Sequence, residues 1–130
     1  MLTVKTRLGA SAIEGIGLFA DEDIEAGTVV WRFMPGLDRL FSRDEIDALG
    51  EPARSTLLTY TYLHEATGQL VFCLDNARFM NHADDANTRG VHKNGTVEGF
   101  DVAARDIRVG EELTCDYRLF DASFAAKLGA

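Results

Sequence analysis

Apolar and polar residues alternate along most of this chain in short runs, each closed by a turn residue. That pattern predicts strands rather than long helices. Runs at 2–8, 16–20 and 28–33 read as strands, the last two separated by Asp21-Glu22-Asp23 and Gly27. Ser42-Arg43-Asp44-Glu45 reads as a capping box opening a short helix, with Ile46 and Leu49 as its apolar face and Gly50 and Pro52 closing it. Positions 57–64 and 69–74 predict a hairpin about Ala66-Thr67-Gly68, and strand character returns at 96–104 and 112–117. The tail at 121–128 predicts a brief helix capped by Asp121. The predicted fold class is mainly β with short helices.

A weak internal echo runs through the chain. Asp23-Ile24-Glu25-Ala26-Gly27 and Asp106-Ile107-Arg108-Val109-Gly110 share D-I-x-x-G ahead of a strand. Each predicts a tight turn in which glycine supplies the backbone freedom.

Length and composition narrow the class. A chain of 130 residues makes one domain with one core, and 46% apolar with 26% charged residues is an ordinary globular balance. No apolar run is long enough to span a bilayer, and Met1-Leu2-Thr3-Val4-Lys5 lacks the start of a secretory signal. The expectation is an intracellular, cytoplasmic protein with no membrane partner. Cys73 and Cys115 read as free buried thiols, and the absence of any C-x-x-C excludes a cysteine-based zinc site. A formal charge of −8 argues against direct nucleic-acid binding and favours a basic protein or peptide partner.

Three segments carry candidate chemistry. Ile13–Ala20, I-E-G-I-G-L-F-A, places two glycines where a backbone can approach something closely, though on its own the segment reads first as a β-bulge and G-x-G alone is no dinucleotide fingerprint. The segment at 76–87, N-A-R-F-M-N-H-A-D-D-A-N, has seven polar residues in twelve, too many for a regular strand. Phe79 and Met80 are predicted to face the core, with Asn81 and His82 in a turn. A metal site from His64, His82 and His92 would need three distant segments to converge. The third segment, G-E-E-L-T-C-D-Y at 110–117, ends a strand on Tyr117. Taken singly, each has an ordinary structural explanation.

In combination they do not. The order G-I-G-L-F-A, then R-F-M-N-H, then G-E-E-L-T-C-D-Y resembles the SET-domain family from about Val4 to Tyr117. The resemblance implies a single domain over 1–130, with a core of about 4–117 and a tail at 118–130. It also implies a β-clip fold whose C-terminal motif threads through an earlier loop in a pseudoknot-like manner. The implied activity is methyl transfer from S-adenosylmethionine to a protein lysine, without a metal. On this resemblance Glu14, Ile16 and Gly17 would offer backbone contacts to the cofactor, and Arg78, Asn81 and His82 would lie beside it. Tyr117 would line the transfer channel as the catalytic tyrosine, with Tyr60 or Tyr62 as a second channel tyrosine.

The chain departs from the family pattern in places. Ala83 stands where Ser commonly follows Asn-His, Ala86 stands where Pro often precedes the later Asn87, and no cysteine-rich segment follows Tyr117. Phe120 and Phe124 are candidates to close the channel instead, and dimerisation is a further way to supply the missing wall. These departures leave an alternative in view: a non-catalytic SET-like module that binds a basic protein.

Overall fold

The computed structural model describes residues 1–64, 66–92 and 99–119. Ten short strands and two helices alternate through them: β1 (Thr6–Ala10), β2 (Ile16–Ala20), β3 (Val29–Arg32), β4 (Arg39–Phe41), α1 (Arg43–Asp47), α2 (Ala53–Tyr60), β5 (Thr61–His64), β6 (Gln69–Phe72), β7 (Asn81–His82), β8 (Thr88–His92), β9 (Gly99–Ala103) and β10 (Glu112–Cys115). They form three small sheets, ordered β1-β2-β10-β7, β3-β9-β8 and β4-β6-β5. The last strand lies inside the first sheet, antiparallel to β2 through Leu113↔Leu18 and parallel to β7 through Cys115↔His82. That inner position brings the C-terminal motif against Asn81 and His82 of β7.

The strands are short because their buried faces are short. Leu18, Val30, Val71, Ile107 and Leu113 are fully buried, and Trp31, Phe33 and Met80 join the same cluster. Burying each large side chain contributes roughly 1.5–3 kcal/mol. Met80 faces the core as expected, whereas Phe79 is only half-buried.

The D-I-x-x-G echo is a structural duplication. Ile24 and Ile107 exchange both backbone hydrogen bonds, at 2.7 and 2.8 Å. Asp23 Oδ1 accepts from the Val109 N–H at 2.9 Å, and Asp106 Oδ1 accepts from the Ala26 N–H at 2.8 Å. Gly27 and Gly110, at φ +85° and +91°, donate at 2.8 Å to the carbonyls of Ala103 and Ala20 respectively. The two turns are related by a local pseudo-dyad, each capping the other.

Some elements differ from the sequence pattern. Both capping-box hydrogen bonds form at Ser42, but α1 ends at Asp47, before Gly50 and Pro52. Residues 57–60 are helical, so only Thr61–His64 pairs with β6. Around this helix Thr59 and Thr61 donate their hydroxyls to the carbonyls four residues back, at 2.9 and 2.6 Å, and Glu51 holds Arg54 at 3.0 Å. Leu2 makes only a single bridge, to Trp31, and the first strand begins at Thr6. Strands β4, β7 and β8 were not predicted by the pattern. The helix expected at 121–128 lies outside the described residues, as do 96–98 of the strand expected at 96–104. Among the described residues, no helix is long and apolar enough to cross a membrane.

Candidate functional site

Asn81, in the two-residue strand β7, is the hub of a polar network on the first sheet. Its amide nitrogen lies 2.9 Å from Glu112 Oε2, 3.1 Å from Ser11 Oγ, and 3.1 and 3.3 Å from the carbonyls of Glu14 and Ile16. The Ser11 hydroxyl donates to both Glu112 carboxylate oxygens at 2.8 and 2.9 Å and accepts from the Ile13 N–H at 2.9 Å. The loop between β1 and β2 is thereby tied to β7 and β10 by side chains from three parts of the chain. Gly17 makes room for this, since a Cβ there would meet Glu112 Oε2 at 2.5 Å.

His82 and Tyr117 form the next layer. The Tyr117 N–H donates to His82 Nδ1 at 3.1 Å, so in the neutral ring Nε2 carries the proton and donates to Asp84 Oδ1 at 2.8 Å. The His82 and Tyr117 rings sit with centroids 5.6 Å apart. The Tyr117 hydroxyl donates to the carbonyl of Met80, the residue before Asn81. Beside it, Arg118 grips Asp116 through 2.9 and 2.7 Å contacts, and these hydrogen bonds hold the Asp116 carboxyl below the usual carboxylate range.

Asn87 fixes the strand that delivers Tyr117. Its carbonyl oxygen accepts from the Thr114 N–H at 2.9 Å, its amide donates to the Glu112 carbonyl at 2.8 Å, and the residue is buried. This clamp forms with Ala86, not proline, before it.

Tyr117 also lines a pocket of about 140 Å³. Tyr60, Tyr62, Arg78 and Met80 line it too, as do Trp31 and Asp101 from the second sheet. The Arg78 guanidinium lies 4.9, 5.8 and 6.0 Å from the rings of Phe79, Phe72 and Tyr60, and donates to the Leu74 and Asp75 carbonyls at 3.0 and 3.2 Å. The site residues named by the sequence thus fall into two groups. Glu14, Ile16, Gly17 and Asn81 converge at the network, and Tyr60, Tyr62 and Arg78 converge at the pocket, with Tyr117 and His82 between them. Phe120 and Phe124 lie outside the described residues.

Sequence reasoning missed Ser11, Glu112 and Asp101. Glu112 sat in plain view within G-E-E; Ser11 lies in a small-residue run with no signal of its own. Cys73 is a free thiol, buried as expected, whereas Cys115 is only half-buried, and burial pushes the Cys73 thiol well up. Among the described residues, no three His, Cys, Asp or Glu side chains are grouped to hold a metal ion.

The SET domain family model matches residues 15–118, which spans the pocket, Tyr117 and the Gly17, Asn81 and Glu112 part of the network. The chain belongs to the SET-domain family. No curated protein matches it. Among solved structures, this SET domain is similar to Chaetomium thermophilum Polycomb Repressive Complex 2 in an autoinhibited conformation bound to S-adenosylmethionine, with 30% identity and a TM-score of 0.70 over 97% of this chain. It is also similar to the same complex with H3K27me3 and H3K27M, with 32% identity and a TM-score of 0.66 over 88% of this chain. The SET domain spans only 16% and 14% of those two chains. A Plasmodium falciparum protein structure, at 19% identity, a TM-score of 0.59 and 89% and 95% coverage of the two chains, shares the fold alone.

Proposed function

We propose that this SET domain transfers a methyl group from S-adenosylmethionine to the side-chain amine of a lysine in a basic protein. The observation that carries the reading is the position of Tyr117. It follows strand β10, which pairs with β7 at Asn81 and His82, and it lines the pocket.

The residues at the network fit such a cofactor. Glu14, Gly15 and Ile16 are exposed, and Asn81 is half-buried with its amide nitrogen already committed to the loop. A polar, hydrogen-bonding guest can therefore lie against ordered backbone there. Glu14, Ile16, Gly17, Asn81 and His82 would hold it. When bound, the cofactor supplies an electrophilic methyl group on a sulfonium.

The chain's own residues have two tasks. The first is alignment: methyl transfer is an in-line displacement, and positioning of this kind is worth roughly 7–11 kcal/mol. Tyr117 is fixed for that purpose by the Met80 carbonyl at its hydroxyl and His82 at its N–H. The second is to favour the neutral amine. A lysine at pH 7.4 lies about three units below its pKa, so deprotonation costs about 4 kcal/mol. The aromatic walls formed by Tyr60, Tyr62 and Tyr117 disfavour the ammonium by desolvation. The net charge of −8 favours encounter with a basic substrate.

Calorimetry with S-adenosylhomocysteine, followed by incubation of the purified protein with methyl-labelled cofactor and lysine-rich peptides, tests the proposal. Binding with label on lysine is the expected result. Cofactor binding with no label on any peptide would favour a binding module instead.

A further inference from the structure

The second sheet presents one face of the pocket, and its central residue is an acid. In the ladder, Asp101 lies directly opposite Trp31 on one side and Gly90 on the other, so these three residues form one row across the sheet. Residues opposite one another in antiparallel strands project to the same face. All three line the pocket. The Asp101 carboxylate also raises the pKa of the Cys73 thiol, and Cys73 lines the pocket as well.

Asp101 is half-buried and has no hydrogen-bond or ion-pair partner among the described residues. Beside it, the indole N–H of Trp31, a residue only 5% exposed, is buried without an acceptor. Buried polar groups are ordinarily partnered, so two unpartnered ones on one pocket face point to a polar guest. A carboxylate among three tyrosines is suited to a cation on a slender apolar stem.

We propose that Asp101 is the anionic anchor for the substrate ammonium in this pocket and takes up its proton before methyl transfer. This rests on the function proposed above. One N–H bond of the ammonium breaks and its proton passes to the carboxylate, leaving a neutral amine and a carboxylic acid. The amine lone pair then forms the N–C bond to the methyl carbon while the C–S bond breaks, its electron pair going to sulfur. The acid afterwards loses its proton to water.

The surroundings suit the exchange. Burial raises the Asp101 pKa to about 7, opposed by the Met1 ammonium, which places it near the working pH of a proton acceptor. The other charged or titratable groups on the pocket are Tyr60, Tyr62, His64, Cys73, Arg78, Arg89, Cys115, Asp116 and Tyr117. Arg78 is engaged by two carbonyls and Asp116 by Arg118, and neither arginine figures among the influences on Asp101.

The probe is n-butylammonium, which has the stem and charge of a lysine side chain, set against neutral 1-butanol. Binding to the full chain is followed through the Trp31 indole resonance. The wild type is expected to prefer the cation by at least about tenfold at pH 8, with the preference fading through a midpoint near 7 as Asp101 protonates. Asp101→Asn should bind both probes alike. With labelled cofactor, Asp101→Asn should also lose about 100-fold in kcat/KM and the corresponding limb of the pH profile, at unchanged S-adenosylhomocysteine affinity. A wild type with no preference for the cation at any pH overturns the proposal, as does a folded Asp101→Asn that keeps the preference. Should Asp101→Asn fail to fold, the pH dependence of the wild-type preference decides alone. Absence of methyl transfer in the wild type would count against the proposed function, while the butylammonium titration would still decide the role of Asp101.

Discussion

Gly17 and Glu112 stand so close that a methyl group on the glycine would lie 2.5 Å from a carboxylate oxygen. The same carboxylate is held by Ser11 and Asn81. Gly17→Ala therefore displaces Glu112 and loosens the loop it organises. The expected cost is about 1–3 kcal/mol of stability. Cofactor affinity should fall about tenfold, equivalent to 1.4 kcal/mol. Because the tightest clash is with the Glu112 side chain, Ser11 Cβ lying next at 3.0 Å, Glu112→Ala in the same chain should recover part of the loss. A double-mutant cycle by denaturant unfolding reads the coupling, and strict additivity would refute the contact.

Asn81→Ala removes the donor that joins Ser11, Glu14, Ile16 and Glu112. Losing these bonds to a charged group and two carbonyls should cost about 2–3 kcal/mol. Asn81→Asp should be worse, since it sets a second carboxylate against Glu112. Thermal melts with and without S-adenosylhomocysteine separate the two effects: both variants should melt lower, and both should lose most of the ligand-induced rise.

Asp23 and Asp106 cap each other's turns. Asp23→Ala and Asp106→Ala should each cost about 0.5–1 kcal/mol, with similar values because the contacts are related by the pseudo-dyad. The exposed pair Asp23–Arg108 at 3.7 Å adds little to the first. Urea midpoints measure both; a difference above about 1 kcal/mol would show that the two turns are not equivalent.

Asp101 gives stability a distinct pH dependence. Its folded pKa is raised to about 7 against about 3.9 in the unfolded chain, so between these values the native state binds the proton that the unfolded state releases. Its contribution is fully present below about pH 4 and is lost as pH rises through 7. Over that window the wild type should fall relative to Asp101→Asn by at most about 1.4 kcal/mol per pH unit. Parallel urea titrations at several pH values check the sign; a wild type that gains on the variant as pH rises would contradict it.

Much of this architecture was legible along the chain. Alternation located Ile16–Ala20, and Ser42 with Glu45 formed the capping box that their spacing predicted. The two D-I-x-x-G turns were visible as a repeat, but their mutual capping was not, because it joins segments 83 residues apart in sequence, Asp23 and Asp106. Residues 57–60 read as strand because Leu57, Leu58 and Tyr60 mimic an apolar run, whereas in the fold they complete the helix that opens at Ala53. The motifs pointed to Asn81 and Tyr117, whereas Ser11 and Asp101 became visible only once the fold brought β1, β9 and β10 to them. A lone serine in a loop or aspartate in a strand carries no periodic signal, and only its partners, or their absence, mark it.

The central claim is that Tyr117 lines a channel in which methyl transfer to lysine occurs. The most direct test is single-turnover transfer from methyl-labelled S-adenosylmethionine to a lysine-rich peptide, mapped by mass spectrometry, for the wild type and Tyr117→Phe. The variant leaves the Met80 carbonyl without its donor, at a cost of about 1–3 kcal/mol, and should bind S-adenosylhomocysteine as before. The account predicts label on lysine in the wild type and at least about tenfold slower transfer in the variant. Equal rates in the two proteins, or no label on lysine from a cofactor-saturated wild type, would contradict it.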